Sequence, residues 1–354
     1  MKIRAFITHK KAEHFNDCQD RFSINADTKS VALSDGMSQS WQQKIWAQLL
    51  VDTFCSSNDW NPSLKTVGDL SPIWRKKVED YIQTLRATNA KENIIYRNER
   101  YLAEGKSAGA TLVGVRFDSY KWECNVLGDS CLITKDGSEY KFGTSQNTEK
   151  FDNNPDFYDS DSRKQGKGKV KKINGVLSSE NPFILLVSDP FSDFLLEHKK
   201  QSDIETFVNQ LLSIKSHNDF EFIVGQWREL GMHNDDSTLI IIEYDGNDDW
   251  SILHQDDLNT LLKSNEVVTE KSVPINVQET KNTQLVDNFH NFDENIISFD
   301  EFKEYFIIKS EKVFRSYNWL KHLIAPRRNK AERMKIVFEQ IAKQIFDQYE
   351  IRKK

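Results

Sequence analysis

The sequence predicts an α+β layered fold. Short apolar strands and amphipathic helices come in blocks rather than in regular strand–helix alternation, which argues against a doubly wound sheet. The chain has 354 residues, enough for one large domain or two unequal ones with a substantial core. Hydrophobic residues make up 38% and charged residues 29%, and there is no apolar run of about 18 residues. We therefore expect a soluble protein without a transmembrane helix.

The first half of the chain is predicted to contain strands interrupted by helices. Apolar residues recur at helical spacing from Trp41 to Thr53, and residues 71–100 are expected to form one or two further helices. Period-two patterns, turn signals and β-branched residues predict strands at 2–8, 21–25, 30–34, 110–117, 122–127, 131–134 and 140–142. A polar, irregular stretch is expected at about 143–180.

The second half begins with the run FILLVS at 183–188, which is too short for a buried helix and predicts a central strand. Helices are expected near 191–198, 203–214 and 219–230. The run STLIIIEY at 237–244 predicts the last strong strand.

The composition predicts three segments: a catalytic domain at 1–246, a polar linker at 247–298 and a basic helical appendage at 299–354. Residues 309–354 hold thirteen basic and five acidic residues, a net charge of +8, while the rest carries 35 basic and 49 acidic residues, a net charge of -14. Apolar stripes at 306–324 and 334–349 predict two amphipathic helices. Their apolar faces suit packing on the domain or on a protein partner better than on a membrane.

Several classes of function are disfavoured by the composition. The acidic body argues against a specific nucleic-acid-binding core. The N-terminus lacks the long apolar stretch of a signal peptide. The four cysteines contain no CxxC pair, which predicts reduced thiols and a cytoplasmic location.

Aspartates recur at the ends of the predicted strands. They are Asp20, Asp35, Asp129, Asp189 and Asp235. A single aspartate in such a place is usually a turn or cap residue, but the ordered series is more specific. Strand ends hold carboxylates rigidly in a cleft, and carboxylate oxygens are the ligands that Mg²⁺ and Mn²⁺ prefer. The series therefore predicts a divalent-cation site.

The motifs DRF, DGM, SAGATL, LGDS, LLVSD and DDSTLIII, in this order, resemble those of the metal-dependent protein phosphatase family of the 2C type, in its bacterial-like form. The resemblance covers residues 1–245. It implies a four-layer α-β-β-α sandwich of two antiparallel sheets flanked by helices, followed here by the helical appendage. It also implies a site for two Mn²⁺ or Mg²⁺ ions at one end of the sandwich, with a possible third.

The resemblance also implies a role for each motif residue. Asp35 would bridge both metals and the Gly36 carbonyl would bind one of them, while Asp189 and Asp235 would complete the pair. Asp20 would lie beside the site as a ligand or as an acceptor next to one. Asp129 would hold the third, weaker metal.

The implied reaction is hydrolysis of phosphoserine or phosphothreonine in proteins by water activated between two metals. Two such cations about 3.5–4 Å apart lower the pKa of the water between them and neutralise the phosphoryl oxygens. No cysteine or serine nucleophile is needed. A phosphoprotein substrate and a matching serine/threonine kinase are the expected partners.

The chain departs from the family pattern beside the metal ligands. Gln19 replaces a glutamate, so it can accept a hydrogen bond but brings no charge. Phe15 stands where the family often has a phosphate-binding arginine, which leaves four candidates for that role: Lys10, Lys11, His14 and Arg21. Met37 and Pro190 replace a histidine and a glycine. These changes keep a second hypothesis open, that of a weak or inactive relative that binds or regulates.

Overall fold

The computed structural model describes residues 1–57, 64–146, 155–164, 166, 168–179, 182–258, 260 and 261. Six helices lie in these residues: α1 (Gln43–Ser56), α2 (Leu64–Ala87), α3 (Glu92–Ala103), α4 (Asp189–Gln201), α5 (Ile204–Ser213) and α6 (His217–Glu229). The strands are β1 (Lys2–Thr8), β2 (Arg21–Asn25), β3 (Ser30–Ser34), β4 (Gly109–Ala110), β5 (Leu112–Asp118), β6 (Lys121–Leu127), β7 (Cys131–Asp136), β8 (Glu139–Gly143), β9 (Tyr158–Asp159), β10 (Lys171–Val176), β11 (Phe183–Val187), β12 (Ser237–Glu243) and β13 (Ser251–Gln255).

The longer strands form two sheets. The first has the order β13-β1-β12-β11-β7-β8 and the second the order β10-β6-β5-β3-β2, while β4 and β9 form a small ribbon. The pairs are antiparallel except that β13 runs parallel to β1. Only some neighbouring strands, such as β2 and β3, β5 and β6, and β7 and β8, are consecutive in the chain, so long connections cross between the remaining neighbours.

Three apolar clusters hold the layers together. The first lies between the two sheets and contains Ile3 and Ile240 from one and Val31 and Val115 from the other. The second joins the six-stranded sheet to α4, α5 and α6, and the third joins the five-stranded sheet to α1 and α2. The predicted four-layer α-β-β-α sandwich is confirmed.

Most predicted elements are confirmed. The predicted strands at Lys2–Thr8, Arg21–Asn25 and Ser30–Ser34 have the observed bounds, and the three helices after residue 189 lie within three residues of their predicted positions. The expectation of irregular structure at 143–180 is wrong for β10, which pairs with β6 along its whole length. Its sequence, KKINGV, lies on a sheet edge and is largely exposed, so it carries little apolar alternation.

The linker expected at 247–298 is wrong for residues 251–255. They form β13, which pairs with Lys2, Ile3, Arg4 and Ala5 of β1, so the domain continues beyond 246. Most side chains of β13 are exposed because it is an edge strand. Its residues therefore lack the apolar run that marks the buried strands. Residue 259, the remainder of the predicted linker at 262–298 and the appendage at 299–354 lie outside the described residues.

A buried carboxylate ties β13 to the sheet. Oδ2 of Asp256, whose side chain is 3% exposed, accepts hydrogen bonds from the Ile7 amide and from Nδ1 of His217, each over 2.8 Å. Its Oδ1 lies 2.9 Å from Nε2 of His254. Hydrogen bonds to Asp256 and Glu221 raise the pKa of His217 to about 10, so the imidazole is protonated at neutral pH.

None of the helices in the described part of the chain is long and apolar enough to cross a membrane.

We expect Asp256→Ala to lower the free energy of unfolding by about 3 kcal/mol, the scale of breaking a buried ion pair. The change removes the acceptor shared by Ile7, His217 and His254. Urea denaturation followed by tryptophan fluorescence measures it, with Asp118→Ala as the control at an exposed carboxylate. A loss for Asp256→Ala no larger than that of the control would show that β13 is held by other contacts.

Candidate metal centre

The strand registers bring the predicted aspartates to one end of the sandwich. Thr8 of β1 pairs with Ser237 of β12, and Val187 of β11 pairs with Cys131 of β7, so these strand ends lie side by side. Lys10, Asp129, Asp189 and Asp235 follow or precede those ends by one to three residues. In the other sheet Arg21 pairs with Ser34, which places Asp20 and Asp35 together.

Asp20 joins the two sheets at this end. It has no exposed surface, and its Oδ2 accepts a hydrogen bond of 2.7 Å from Oγ1 of Thr238 on β12. Its buried Oδ1 has no hydrogen-bond donor among protein groups, and the Asp35 carboxyl lies beside it. A carboxylate oxygen buried next to a second carboxylate needs a proton or a cation.

Asp35 is held by the backbone of the small-residue segment SAGAT. Its amide donates to Oγ1 of Thr111 over 3.0 Å, and its carbonyl accepts from the Thr111 amide over 2.8 Å. Gly36 forms an isolated bridge with Ala110. The segment therefore does more than pack: Thr111 fixes the turn that presents Asp35.

Asp129 and Asp189 lie at the ends of β7 and β11. Asp129 is 8% exposed, and its carbonyl accepts a hydrogen bond of 2.9 Å from Oγ of Ser192. Asp189 is the first residue of α4, and Pro190 follows in the first turn. A proline there costs no helical hydrogen bond and presets the backbone, so the replacement of the family's glycine is compatible with the helix start.

Asp235 and Asp236 have different roles although they are adjacent. Asp235 is partly exposed, and its Oδ1 lies 2.9 Å from Nζ of Lys10. Asp236 is 2% exposed and accepts hydrogen bonds from the amides of Lys10 and Gln19, over 3.0 and 2.7 Å. Asp236 therefore fixes the loop between β1 and β2, while Asp235 faces the other carboxylates.

The carboxylates repel one another. Burial and then the charges of Asp20 and Asp189 raise the pKa of Asp35 well above its ordinary value. Burial and then the charges of Asp129 and Asp235 do the same to the pKa of Asp189, and Lys10 opposes this rise. For Asp20, burial and the charge of Asp236 raise the pKa, and the Thr238 hydrogen bond opposes it. The cluster thus favours uptake of positive charge.

The four candidates for phosphate binding lie in different surroundings. Burial lowers the pKa of Lys10, but the hydrogen bond and charge of Asp235 outweigh it and hold the pKa above its ordinary value. Lys11 is exposed and pairs with Glu229 over 3.2 Å. Arg21 binds the carbonyls of Cys18 and Asp20 with its guanidinium, and His14 is exposed. Among the four, Lys10 is therefore the candidate whose side chain pairs with a carboxylate of the cluster, whereas Arg21 contacts Asp20 only at the backbone carbonyl.

Phe15 and Gln19, which depart from the family pattern, both lie close to the cluster in sequence but make uncharged contacts. Phe15 is buried and lies edge-on to His9 at 5.6 Å between ring centroids, so it serves packing. Gln19 accepts a hydrogen bond of 3.0 Å from Oγ of Ser38. Neither side chain brings charge to the aspartates.

The donor set suits a hard divalent cation in its chemistry, because it consists of carboxylate oxygens. The buried, undonated Oδ1 of Asp20 beside Asp35 supports this fit. Among the described residues, however, no group of three or more His, Cys, Asp or Glu side chains is arranged as a set of metal ligands. One proposed ligand, Asp235, is paired with the Lys10 ammonium.

Sequence reasoning missed four residues that position the site: Thr111, Arg228, Asp236 and Thr238. The sequence shows two adjacent aspartates at 235–236. It does not show that the buried one, Asp236, binds the amides of Lys10 and Gln19. Arg228 donates to the carbonyls of His9 and Asp235 over 3.2 and 2.7 Å, a contact across 219 residues of chain for which no local pattern exists.

We expect Asp35→Asn to raise the melting temperature in EDTA by about 2–4 °C, which corresponds to a gain of about 1 kcal/mol in a domain of this size. The substitution keeps the shape and removes one of several repelling charges. Differential scanning calorimetry measures it, with Asp118→Asn as the exposed control. A lower melting temperature than wild type would show that the Asp35 charge is stabilised by the metal-free protein.

Comparisons with known proteins give matches in structure alone. No protein-family model matches the sequence, and no curated protein matches it. In fold the chain is similar to a bacterial serine phosphatase, with 15% identity over 69% of this chain and 98% of that one and a TM-score of 0.45. It is also similar to the serine/threonine phosphatase Stp1 from Staphylococcus aureus, with 14% identity over 69% and 95% of the two chains and a TM-score of 0.44. A third similar structure is the catalytic domain of the serine/threonine protein phosphatase PstP in complex with two manganese ions, with 15% identity over 68% and 96% of the chains and a TM-score of 0.41.

Proposed function

We propose that this protein is a metal-dependent hydrolase of phosphoserine and phosphothreonine in proteins, which uses Mn²⁺ or Mg²⁺. One observation carries the proposal. The aspartates that end separate strands in both sheets lie close enough to raise one another's pKa values at one end of the sandwich. The order of the motifs that contain them supports the same class.

The chain's own residues would hold the metal ions as follows. Asp35 interacts with Asp20, Asp189, Asp129 and Asp235, which suits a ligand at the centre of the site. A bound divalent cation supplies a nucleophilic hydroxide near neutral pH and neutralises charge on the phosphoryl group. Thr111 and Thr238 fix the Asp35 backbone and the Asp20 carboxylate, so these two ligands would be held in place before the substrate arrives.

Lys10 is the proposed contact for the phosphoryl oxygens. Its ammonium lies 2.9 Å from Asp235 and is 16% exposed, so it lies at the boundary between the carboxylates and solvent. Arg21 is less suited because its guanidinium binds the carbonyls of Cys18 and Asp20. His14 is exposed and is the less favoured candidate.

We also propose the surrounding organisation. The phosphatase domain includes β13, because that strand completes the edge of the six-stranded sheet. The basic segment at 299–354 would recruit a protein partner through its apolar stripes, and a phosphoprotein made by a serine/threonine kinase in the cytoplasm would be the substrate.

A second candidate is a phosphatase-fold protein that binds phosphoproteins without turnover. The ion pair between Lys10 and Asp235 and the burial of Phe15 in place of an arginine favour it. The active phosphatase and the non-catalytic binding protein would use the same aspartates and Lys10, so a measured rate of hydrolysis is needed to distinguish them.

We expect the purified protein to hydrolyse p-nitrophenyl phosphate and a phosphothreonine peptide with Mn²⁺ and to lose this activity in EDTA. Asp35→Asn and Asp189→Asn should each lower kcat by about a hundredfold or more, the scale of losing a major electrostatic element. Asp118→Asn, an exposed carboxylate on β5, is the matched control. Release of phosphate measures the rates.

Full activity in EDTA, or wild-type rates in both site variants, would contradict the metal mechanism. Absence of turnover combined with tight binding of the phosphopeptide would favour the second candidate.

A further inference from the structure

The backbone around Lys10 is fixed on both sides to the turn before β12. The Lys10 amide donates to Oδ1 of Asp236 over 3.0 Å, and the Lys11 amide donates to Oδ1 of Asn234 over 2.8 Å. Arg228 donates to the carbonyls of His9 and Asp235 at the same junction. The main chain at Lys10 is therefore attached to the residues that flank Asp235.

The Lys10 ammonium group pairs with a carboxylate of the cluster. Nζ of Lys10 lies 2.9 Å from Oδ1 of Asp235, and its side chain is 16% exposed while that of Asp235 is 41% exposed. Its charge also acts on Asp189, whose ionised form it favours against the neighbouring carboxylates. Asp235 is thus paired with a cation that belongs to the protein.

The two halves of the carboxylate cluster, Asp20 with Asp35 and Asp189 with Asp235, differ in the positive charge beside them. The pair Asp20 and Asp35 has no such ammonium partner in the described residues, and Oδ1 of Asp20 is buried without a hydrogen-bond donor. The pair Asp189 and Asp235 is partly neutralised by Lys10. Electrostatics therefore makes the two halves unequal as binding sites for further positive charge.

We propose that the Lys10 ammonium, besides its proposed contact with the phosphoryl group, substitutes for part of the charge of a second metal ion at Asp235. The inference rests on the proposed function. The Asp20 and Asp35 half binds a divalent cation first, and a second cation at Asp189 and Asp235 binds only as the Lys10 side chain leaves Asp235. Because the Lys10 backbone is attached to Asn234 and Asp236, the lysine can yield only by rotating its side chain, and it returns when the cation leaves.

The test is a titration of the full-length protein with Mn²⁺, in which electron paramagnetic resonance counts the free ion without any turnover. The wild-type protein should bind a second Mn²⁺ about tenfold or more weakly than the first. Lys10→Met keeps most of the side chain's length and removes its charge, so it should tighten the second binding step about tenfold. Lys11→Met is the matched control, because Lys11 pairs with Glu229 and not with the aspartates, and it should titrate like wild type.

Lys10→Arg retains the positive charge, so the second Mn²⁺ should still bind more weakly than the first in this variant. Circular dichroism verifies that each variant is folded. Equal binding steps in the wild type, or an unchanged second step in a folded Lys10→Met protein, would overturn the inference and leave the proposed function standing. Absence of Mn²⁺ binding in every variant would overturn both.

Discussion

The repulsion among aspartates at one end of the sandwich is the constraint on which the rest of the site depends. Antiparallel pairing places the ends of β1, β7, β11 and β12 side by side, and the Asp20–Thr238 hydrogen bond brings in the other sheet. Like charges at such separations oppose the fold unless positive charge is supplied. Three apolar clusters on and between the sheets hold the strand ends in place against that repulsion. The stable layers therefore make possible an arrangement that the carboxylates alone would not adopt.

The loop between β1 and β2 is organised by residues far away in the chain. Asp236 binds amides at Lys10 and Gln19, and Arg228 binds the carbonyl of His9, so both ends of the loop are attached near the start of β12. This coupling explains why a lysine at position 10 can face Asp235 although 225 residues separate them in sequence. At the same end of β1, on the side of β13, Asp256 accepts a hydrogen bond from the Ile7 amide and contacts His217 and His254. The N-terminal strand is thus held at its two flanks by buried carboxylates.

Much of the fold follows from local pattern, because the first three strands and the strand at 183–187 have strong apolar runs with clear turns. Edge strands β10 and β13 do not follow from it, since their side chains are mostly exposed and their order comes from pairing with β6 and β1. The strand-end aspartates were visible as a series. The division of labour between Asp235 and Asp236, the role of Thr111 and the contact of Lys10 were not, because each depends on a partner brought close only by the fold.

The location of bound Mn²⁺ would show directly whether the aspartates at the end of the sandwich bind divalent cations. Crystals of the protein grown with Mn²⁺ and measured near the manganese absorption edge would show each ion as an anomalous difference peak. We expect a peak in contact with carboxylate oxygens of Asp35 and of at least one further aspartate among Asp20, Asp189 and Asp235. Ordered Mn²⁺ bound elsewhere, with none in contact with Asp35, would contradict it.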